Sequence, residues 1–263
     1  MCAGQMDHCQ MNDELIRAHL NLYAVLQNLE DLVKLDPETG GMARDWRVSI
    51  QFTVLNGPSA WLAFRDGACT HGRGRRPSPD IRLFFISPRH LNRMFDGQAT
   101  PIPLKGFSRL GFLKNEFTRL TERLTHFLRP GEADLRDPGY VEVNTALVLN
   151  TAAYAVRELA TVEPTCRAIA SRIPDGTLRM EVLPDGPAVS LTFGDGDIAI
   201  RKDRSVQPTA RMVFRDLQAA NDMLSGRLDG FQAVASGAVA LQGMIPIIDN
   251  VNLILDRVEH YLA

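Results

Sequence analysis

The residues of this chain whose types could do chemistry are its six histidines, its four cysteines and one concentrated basic stretch, and their spacing argues against catalysis. His19, His90, His126 and His260 each fall alone on an expected helix, where an imidazole reads as a surface or internally bonded side chain. There is no G-x-S-x-G, no H-E-x-x-H, no Walker loop, and no G-x-G-x-x-G between a strand and a helix. Asp66-Gly67 and Asp195-Gly196 are turn chemistry before they are carboxylate sites. Cys2, His8 and Cys9 are metal-ligand types, yet a stable zinc site wants four ligands held on a framework, and residues 1–11 read as a disordered tail. With no C-x-x-C, Cys2, Cys9, Cys69 and Cys166 read as reduced thiols. No catalytic residue, metal or cofactor is expected.

The basic stretch His71-Gly72-Arg73-Gly74-Arg75-Arg76 has a counterpart in Arg201, Lys202 and Arg204. Arg73, Arg75 and Arg76 suit transient contact with an anionic membrane surface; the plainer alternative is a solvated, flexible hairpin loop. Over the whole chain 29 Lys plus Arg balance 31 Asp plus Glu, so no net field concentrates nucleic acid. No apolar run approaches the roughly 18 to 20 residues that span a bilayer, and the opening MCAGQMDHCQMNDE lacks an apolar signal core. The expectation is a soluble, cytoplasmic protein.

Those residues are carried on a duplication. Residues 56–97 and 185–226 match at a fixed offset of 129: Gly57, Pro58, Leu62, Phe64, Asp66 and Gly67 recur as Gly186, Pro187, Leu191, Phe193, Asp195 and Gly196. Arg75, Pro79, Arg82, Phe85, Asn92, Met94 and Gly97 recur as Arg204, Pro208, Arg211, Phe214, Asn221, Met223 and Gly226. Solenoid repeats run roughly 20 to 50 residues, so a copy this long can own a core. The expected division is residues 12–128 and 141–263, joined by a linker over 129–140 where Arg129-Pro130-Gly131 and Asp137-Pro138-Gly139 bracket a polar stretch.

Each copy opens with a helix. Leu15, Ala18, Leu22, Val25, Leu29 and Leu32 form one apolar face behind Asn12-Asp13-Glu14, and residues 144–160 are apolar almost all round. Strands follow: Val48, Ile50, Phe52 and Val54 alternate with polar residues, Asn56-Gly57 or Asp185-Gly186 turns the chain, and Ile81–Phe85 answers Ala210–Phe214 with Arg82 and Arg211 on the opposite face. Ser87-Pro88 begins a helix ending at Asp96-Gly97, as the second copy ends at Ser225-Gly226. Phe117, Leu120, Leu124 and Leu128 mark the first closing helix; Ile248, Val251, Ile254, Leu255, Val258 and Leu262 mark the second. The fold class is α+β.

The stretch from Pro208 to Leu262 resembles the sterol carrier protein 2 superfamily, with Gly237, Val239, Leu241 and Gly243 fitting that family's G-x-[apolar]-x-[apolar]-x-G frame ahead of an apolar last helix. The first copy resembles a diverged member, with Gly106 and Gly111 standing near the two glycines. The resemblance implies two tandem sterol-carrier-like domains, each an antiparallel-rich curved sheet covered by helices around an apolar tunnel that holds a fatty acyl, sterol-like or isoprenoid lipid. Nine of the twelve phenylalanines lie in the first copy and fill space, so the second is the expected binder. Its candidate lining is Met212, Phe214, Met223, Leu224, Val239, Leu241, Met244, Ile245, Ile248, Val251 and Leu255. Each of these taken singly also reads as core. The rival function is an accessory or interaction subunit that docks on a partner, or on a second copy as a homodimer, through Ile247–Leu262.

Overall fold

Alternation builds two sheets. Along Val48–Val54 and Gly176–Val182 every second side chain is apolar and turns to a helix-covered face. The computed structural model describes residues 3–262, with side chains from Met11 onward. The chain divides into two compact units, Met1–His126 with Tyr261–Ala263, and Phe127–His260.

In the first unit, helices α1 (Ala3–Leu20), α2 (Leu29–Leu35) and α3 (Pro37–Ala43) precede strands β1 (Val48–Val54), β2 (Ser59–Arg65), β3 (Ala68–Arg73) and β4 (Ile81–Phe85). Then come α4 (Pro88–Phe95), β5 (Ile102–Lys105), the single turn α5 (Leu110–Phe112) and α6 (Thr118–Leu128). The second unit carries α7 (Pro138–Val162), α8 (Pro164–Ala170), β6 (Gly176–Val182), β7 (Ala188–Gly194), β8 (Asp197–Arg201) and β9 (Ala210–Phe214). Then follow α9 (Leu217–Leu224), α10 (Gly230–Ala235), β10 (Val239–Gly243) and α11 (Ile245–Leu255), and the chain closes with α12 (Val258–Leu262), at which the division between the units falls.

The two five-stranded sheets share one strand order, β3-β2-β1-β4-β5 and β8-β7-β6-β9-β10. In each, one central pair is parallel (β1 with β4, β6 with β9) and the other neighbours are antiparallel. The α+β class is therefore observed. Ile50 faces Leu62 and Ile81, as Leu178 faces Leu191 and Ala210, so β1 and β6 correspond at an offset of 128 while their neighbours keep 129. The extra residue lies in the second hairpin, Leu183-Pro184-Asp185-Gly186-Pro187, where the Leu183–Pro184 peptide is cis.

Several turns follow from local chemistry. Asp66-Gly67 and Asp195-Gly196 hold positive φ at both positions, as a two-residue hairpin turn requires. Ser87 and Asp216 occupy the same place and cap α4 and α9 by accepting the His90 and Ala219 amides. The close approach of strand ends explains one more pair. Gly243 has φ +82° and an added Cβ would stand 2.2 Å from the Thr209 carbonyl; Gly106 has φ +88° with 2.8 Å to the Asp80 carbonyl. Since Asp80 and Thr209 correspond, Gly106 is the counterpart of Gly243, not of Gly237. Gly237 follows α10, which has no counterpart in the first unit, and Gly111 lies in α5.

Each unit is also clasped by a carboxylate. Asp36 caps α3 through the Thr39 amide and receives two bonds of 3.1 Å from Arg123 on α6. Glu163 caps α8 through the Cys166 amide and receives Arg257 at 2.9 Å, tying the lead-in helices to the end of the unit. Burial raises both carboxyls, but these donors outweigh it and hold both below their ordinary pKa. A second tie is amide to amide. Buried Asn92 donates to the Glu14 carbonyl and carboxylate and accepts from Asn21, while Asn221 donates to Asn144, which donates to the Phe127 carbonyl.

Four expectations change. Helical backbone begins at Ala3, inside the stretch read as a tail, because Gly4 alone opposes a helix before Asn12. The first apolar stripe is buried at Ala18, Leu22, Leu29 and Leu32, but its helix breaks at Asn21–Val25, a π-helical turn from which Asn21 reaches Asn92. Asp137-Pro138 does not end a linker loop: Asp137 caps α7 and Pro138 is its first residue, where a missing N–H costs nothing. The last helix is interrupted at Asp256 and Arg257, the latter bonded to Glu163.

Replacing Gly243 with alanine adds backbone strain and a clash, so the expected loss in urea unfolding is about 2 to 4 kcal/mol. Gly41 lies in α3 with nothing within 4 Å of an added Cβ, and Gly41→Ala is expected to stabilise by about 0.5 to 1 kcal/mol.

Candidate functional site

The sheet of the second unit presents two chemically opposite faces. Leu178, Met180, Val182, Val189, Leu191, Met212 and Phe214 share the inner face, on which α7 and α11 pack. Thr177, Arg179, Glu181, Ser190, Thr192 and Arg211 share the outer one. Every β6 residue from Thr177 to Val182 is buried, so the strand is covered on both sides.

The candidate lining separates into two groups. Met212, Phe214, Val239, Ile248 and Val251 are 0–2 % exposed and are packed by the protein's own side chains. Met223, Leu224, Leu241 and Leu255 are half-buried, and Met244 and Ile245 are 40 % and 42 % exposed. Apart from Leu255, at the far end of α11, the second group gathers about the edge strand β10 and the helices beside it. Leu241 faces inward beside Met212, α10 packs on β10 and α9, and Met244 and Ile245 lead from β10 into α11. Phe231 and Val234 on α10 add exposed apolar surface there. Of the segment Ile247–Leu262 expected as a docking surface, Ile247, Ile248, Val251 and Ile254 are buried, while Leu253 is exposed and Leu255, Val258 and Leu262 are half-buried.

On the outer face an ionic cluster replaces apolar packing. Glu181 accepts from Arg204 at 3.2 Å and from Arg211 at 2.7 Å. Arg179 is 8 % exposed; its terminal nitrogen donates to the Arg204 and Val206 carbonyls, while its buried Nε has no partner. A buried donor left unmade costs about 1 to 3 kcal/mol. The loop Ser205-Val206-Gln207-Pro208 runs beside these arginines and borders an open surface pocket of about 400 Å³ with Arg179, Arg204 and Arg211 in its wall. Burial raises the Glu181 carboxyl, but Arg211 and then Arg204 hold it below its ordinary value. Sequence reasoning misses this cluster. The recurrence of Arg75 and Arg82 as Arg204 and Arg211 is its one signal there.

The first unit closes the same place with a neutral residue. Gln51 corresponds to Arg179; its Nε2 donates to the Phe52, Ala60 and Gly74 carbonyls and its Oε1 accepts from the Arg76 amide. The basic stretch there is half strand and not a free loop, since Ala60 pairs with Arg73. The Arg73 guanidinium stacks 4.3 Å from the Tyr23 ring centre, and Arg76 4.6 Å from Trp61.

Among the described residues no group of three His, Cys, Asp or Glu side chains could hold a metal. The Cys2, His8 and Cys9 side chains lie outside the described residues. Cys69 and Cys166 are buried free thiols; burial, then Glu163, pushes Cys166 up to about 12. His90 is internally bonded to the Thr100 carbonyl and the Ile86 amide. Among the described residues no helix is long and apolar enough to cross a membrane.

No protein-family model matches the chain, and no curated protein matches it. Solved structures similar to parts of it include a UbiJ-SCP2 ubiquinone synthesis protein, 18 % identical over 40 % of this chain and 92 % of that one, with a TM-score of 0.31. The sterol carrier protein domain 2 of Helicoverpa armigera is 12 % identical over 44 % and 91 %, with a TM-score of 0.35. The conserved hypothetical protein TT1886 of Thermus thermophilus, described as a possible sterol carrier protein, is 22 % identical over 42 % and 85 %, with a TM-score of 0.32. At such scores the fold described above rests on this chain's own topology and registers.

Because the folded-state pKa of Glu181 lies below the ordinary 4.5, its ion pairs stabilise the fold above that pH and lose their effect as pH falls through the folded-state value. Glu181→Gln is expected to cost about 1 to 3 kcal/mol at pH 7, since Arg204 and Arg211 are 38 % and 39 % exposed and can rehydrate. The variant's unfolding free energy should also change less between pH 5 and about pH 3 than the wild type's.

Proposed function

We propose that the second unit binds a hydrophobic ligand, a fatty acyl, sterol-like or isoprenoid chain, without catalysis, and that the ligand enters at the β10 edge between the inner sheet face and α11. The observation that carries this reading is the gathering of half-buried and exposed apolar side chains, Met223, Leu224, Leu241, Met244 and Ile245, at one edge of an otherwise sealed core. Solvent-facing apolar surface continuous with a core is characteristic of a binding site. Methylenes gain roughly 0.8 kcal/mol each on burial, so a dozen provide roughly 10 kcal/mol before ordering costs. That gain is what displaces α11 from Met212 and Ile248. We also read the units as tandem copies of a sterol-carrier-like fold, on their shared strand order, registers, buried asparagines and carboxylate clasps.

Phe231, 84 % exposed on a helix that the first unit lacks, favours a second reading in which α10 meets a protein partner and the module is an accessory subunit.

Titration of the full chain with a fluorescent polyene fatty acid separates the two readings. Saturable binding in the micromolar range is expected, weakened at least tenfold by Leu241→Glu or Ile245→Glu and little changed by Phe231→Ser. Absence of binding by well-folded wild-type protein would leave the accessory role in its place.

A further inference from the structure

We propose that the outer face of the second sheet is a binding site for a phosphate group, carried on a soluble ester or on a lipid headgroup. It stands apart from the hydrophobic-ligand reading, because its residues alternate with the core residues and point to the other side of the same strands.

The wall of the 400 Å³ pocket holds three guanidinium groups, Arg179, Arg204 and Arg211, beside the carboxylate of Glu181. Asp203 acts on both Arg201 and Arg179, and Arg179, Arg201, Arg204 and Arg211 against the carboxylates of Glu181 and Asp203 still leave positive charge in excess. A phosphate dianion matches that excess, and guanidinium forks bind tetrahedral oxyanions with several donors at once. The pocket falls in the size range of sites for small organic ligands.

Arg179 holds the covering loop through the Arg204 and Val206 carbonyls, as Gln51 holds its own covering segment, but it adds a full positive charge that closure alone does not require. It is only 8 % exposed, it makes no ion pair with Glu181, and its Nε–H lacks an acceptor. The first unit shows what purely structural closure of this place looks like: Gln51, neutral, with both ends of its amide bonded to the backbone of the covering segment. Where the first unit has Thr53 beside Gln51, the second has Glu181, which orients Arg204 and Arg211 side by side along one wall. The charge of Arg179 beside those of Arg204 and Arg211 on one pocket wall is what an anion bound there would neutralise.

The test uses the full chain. Titration calorimetry with inorganic phosphate and with glycerol 3-phosphate is run beside flotation with phosphatidylcholine vesicles, with and without phosphatidic acid. Saturable binding of at least one of these probes is expected, in the low millimolar range or tighter, weakened at least tenfold by Arg179→Gln, which installs the first unit's residue. Arg211→Gln is a second variant on a half-exposed side chain, and thermal melting reports whether each variant is folded. Binding of the soluble phosphates assigns a free ester; binding only to vesicles containing phosphatidic acid assigns the headgroup. If folded wild-type protein takes up none of the probes, or if uptake is unchanged in the folded variants, the site does not exist.

Discussion

A central strand buried on both faces is the constraint that orders the second unit. From Thr177 to Val182 the side chains of β6 alternate between an apolar interior and an outer face, and neither side reaches water. On the inner side the requirement is met by packing, with Leu178, Met180 and Val182 under α7 and α11. On the outer side polar and charged groups must be covered and satisfied together, or each would cost more than its burial contributes. The covering loop from Lys202 to Thr209, the Glu181 ion pairs and the Thr177–Thr192 hydroxyl contact are the means. The first unit obeys the same rule with less charge, through Ser49, Gln51 and the Asp80 carboxylate that binds both the amide and hydroxyl of Ser49.

Two units of one strand order thus separate what the sheet requires from what each unit adds. Both units keep the strand order, the left-handed glycine against residue 80 or 209, the buried asparagine on the fourth or ninth helix and the carboxylate clasp. The second unit alone adds α10 and the arginine cluster. Those additions sit at the β10 edge and on the outer face.

Much of the fold is legible in the sequence because it is written in local rules. Alternation marks the strands, Ser87-Pro88 and Asp96-Gly97 mark both ends of α4, and the constant offset fixes the correspondence of β2 to β4 with β7 to β9. What escapes are features set by tertiary contact. Asn92 and Asn221 look like repeat markers, yet they are buried anchors, and no periodicity distinguishes a buried amide from a surface one. Gly106 aligns with the wrong glycine because α10 is an insertion without a sequence boundary. Asp137-Pro138 reads equally as a loop and as a helix start until the residues after it are seen to pack. Of the candidate lining, hydrophobicity alone does not divide the sealed residues such as Phe214 and Val251 from the open ones such as Leu241 and Ile245. Arg179 gives no sign of its burial in the sequence, because its partners are carbonyls of a distant loop.

The central claim is that the sheet and α11 of the second unit part at the β10 edge to admit a hydrocarbon chain. Hydrogen exchange of the full chain with and without a long-chain fatty acid tests it most directly. Altered exchange is expected in peptides covering residues 217–255, with those covering 48–105 unchanged. Unaltered exchange at residues 217–255 under saturating fatty acid, or change confined to 48–105, would contradict it.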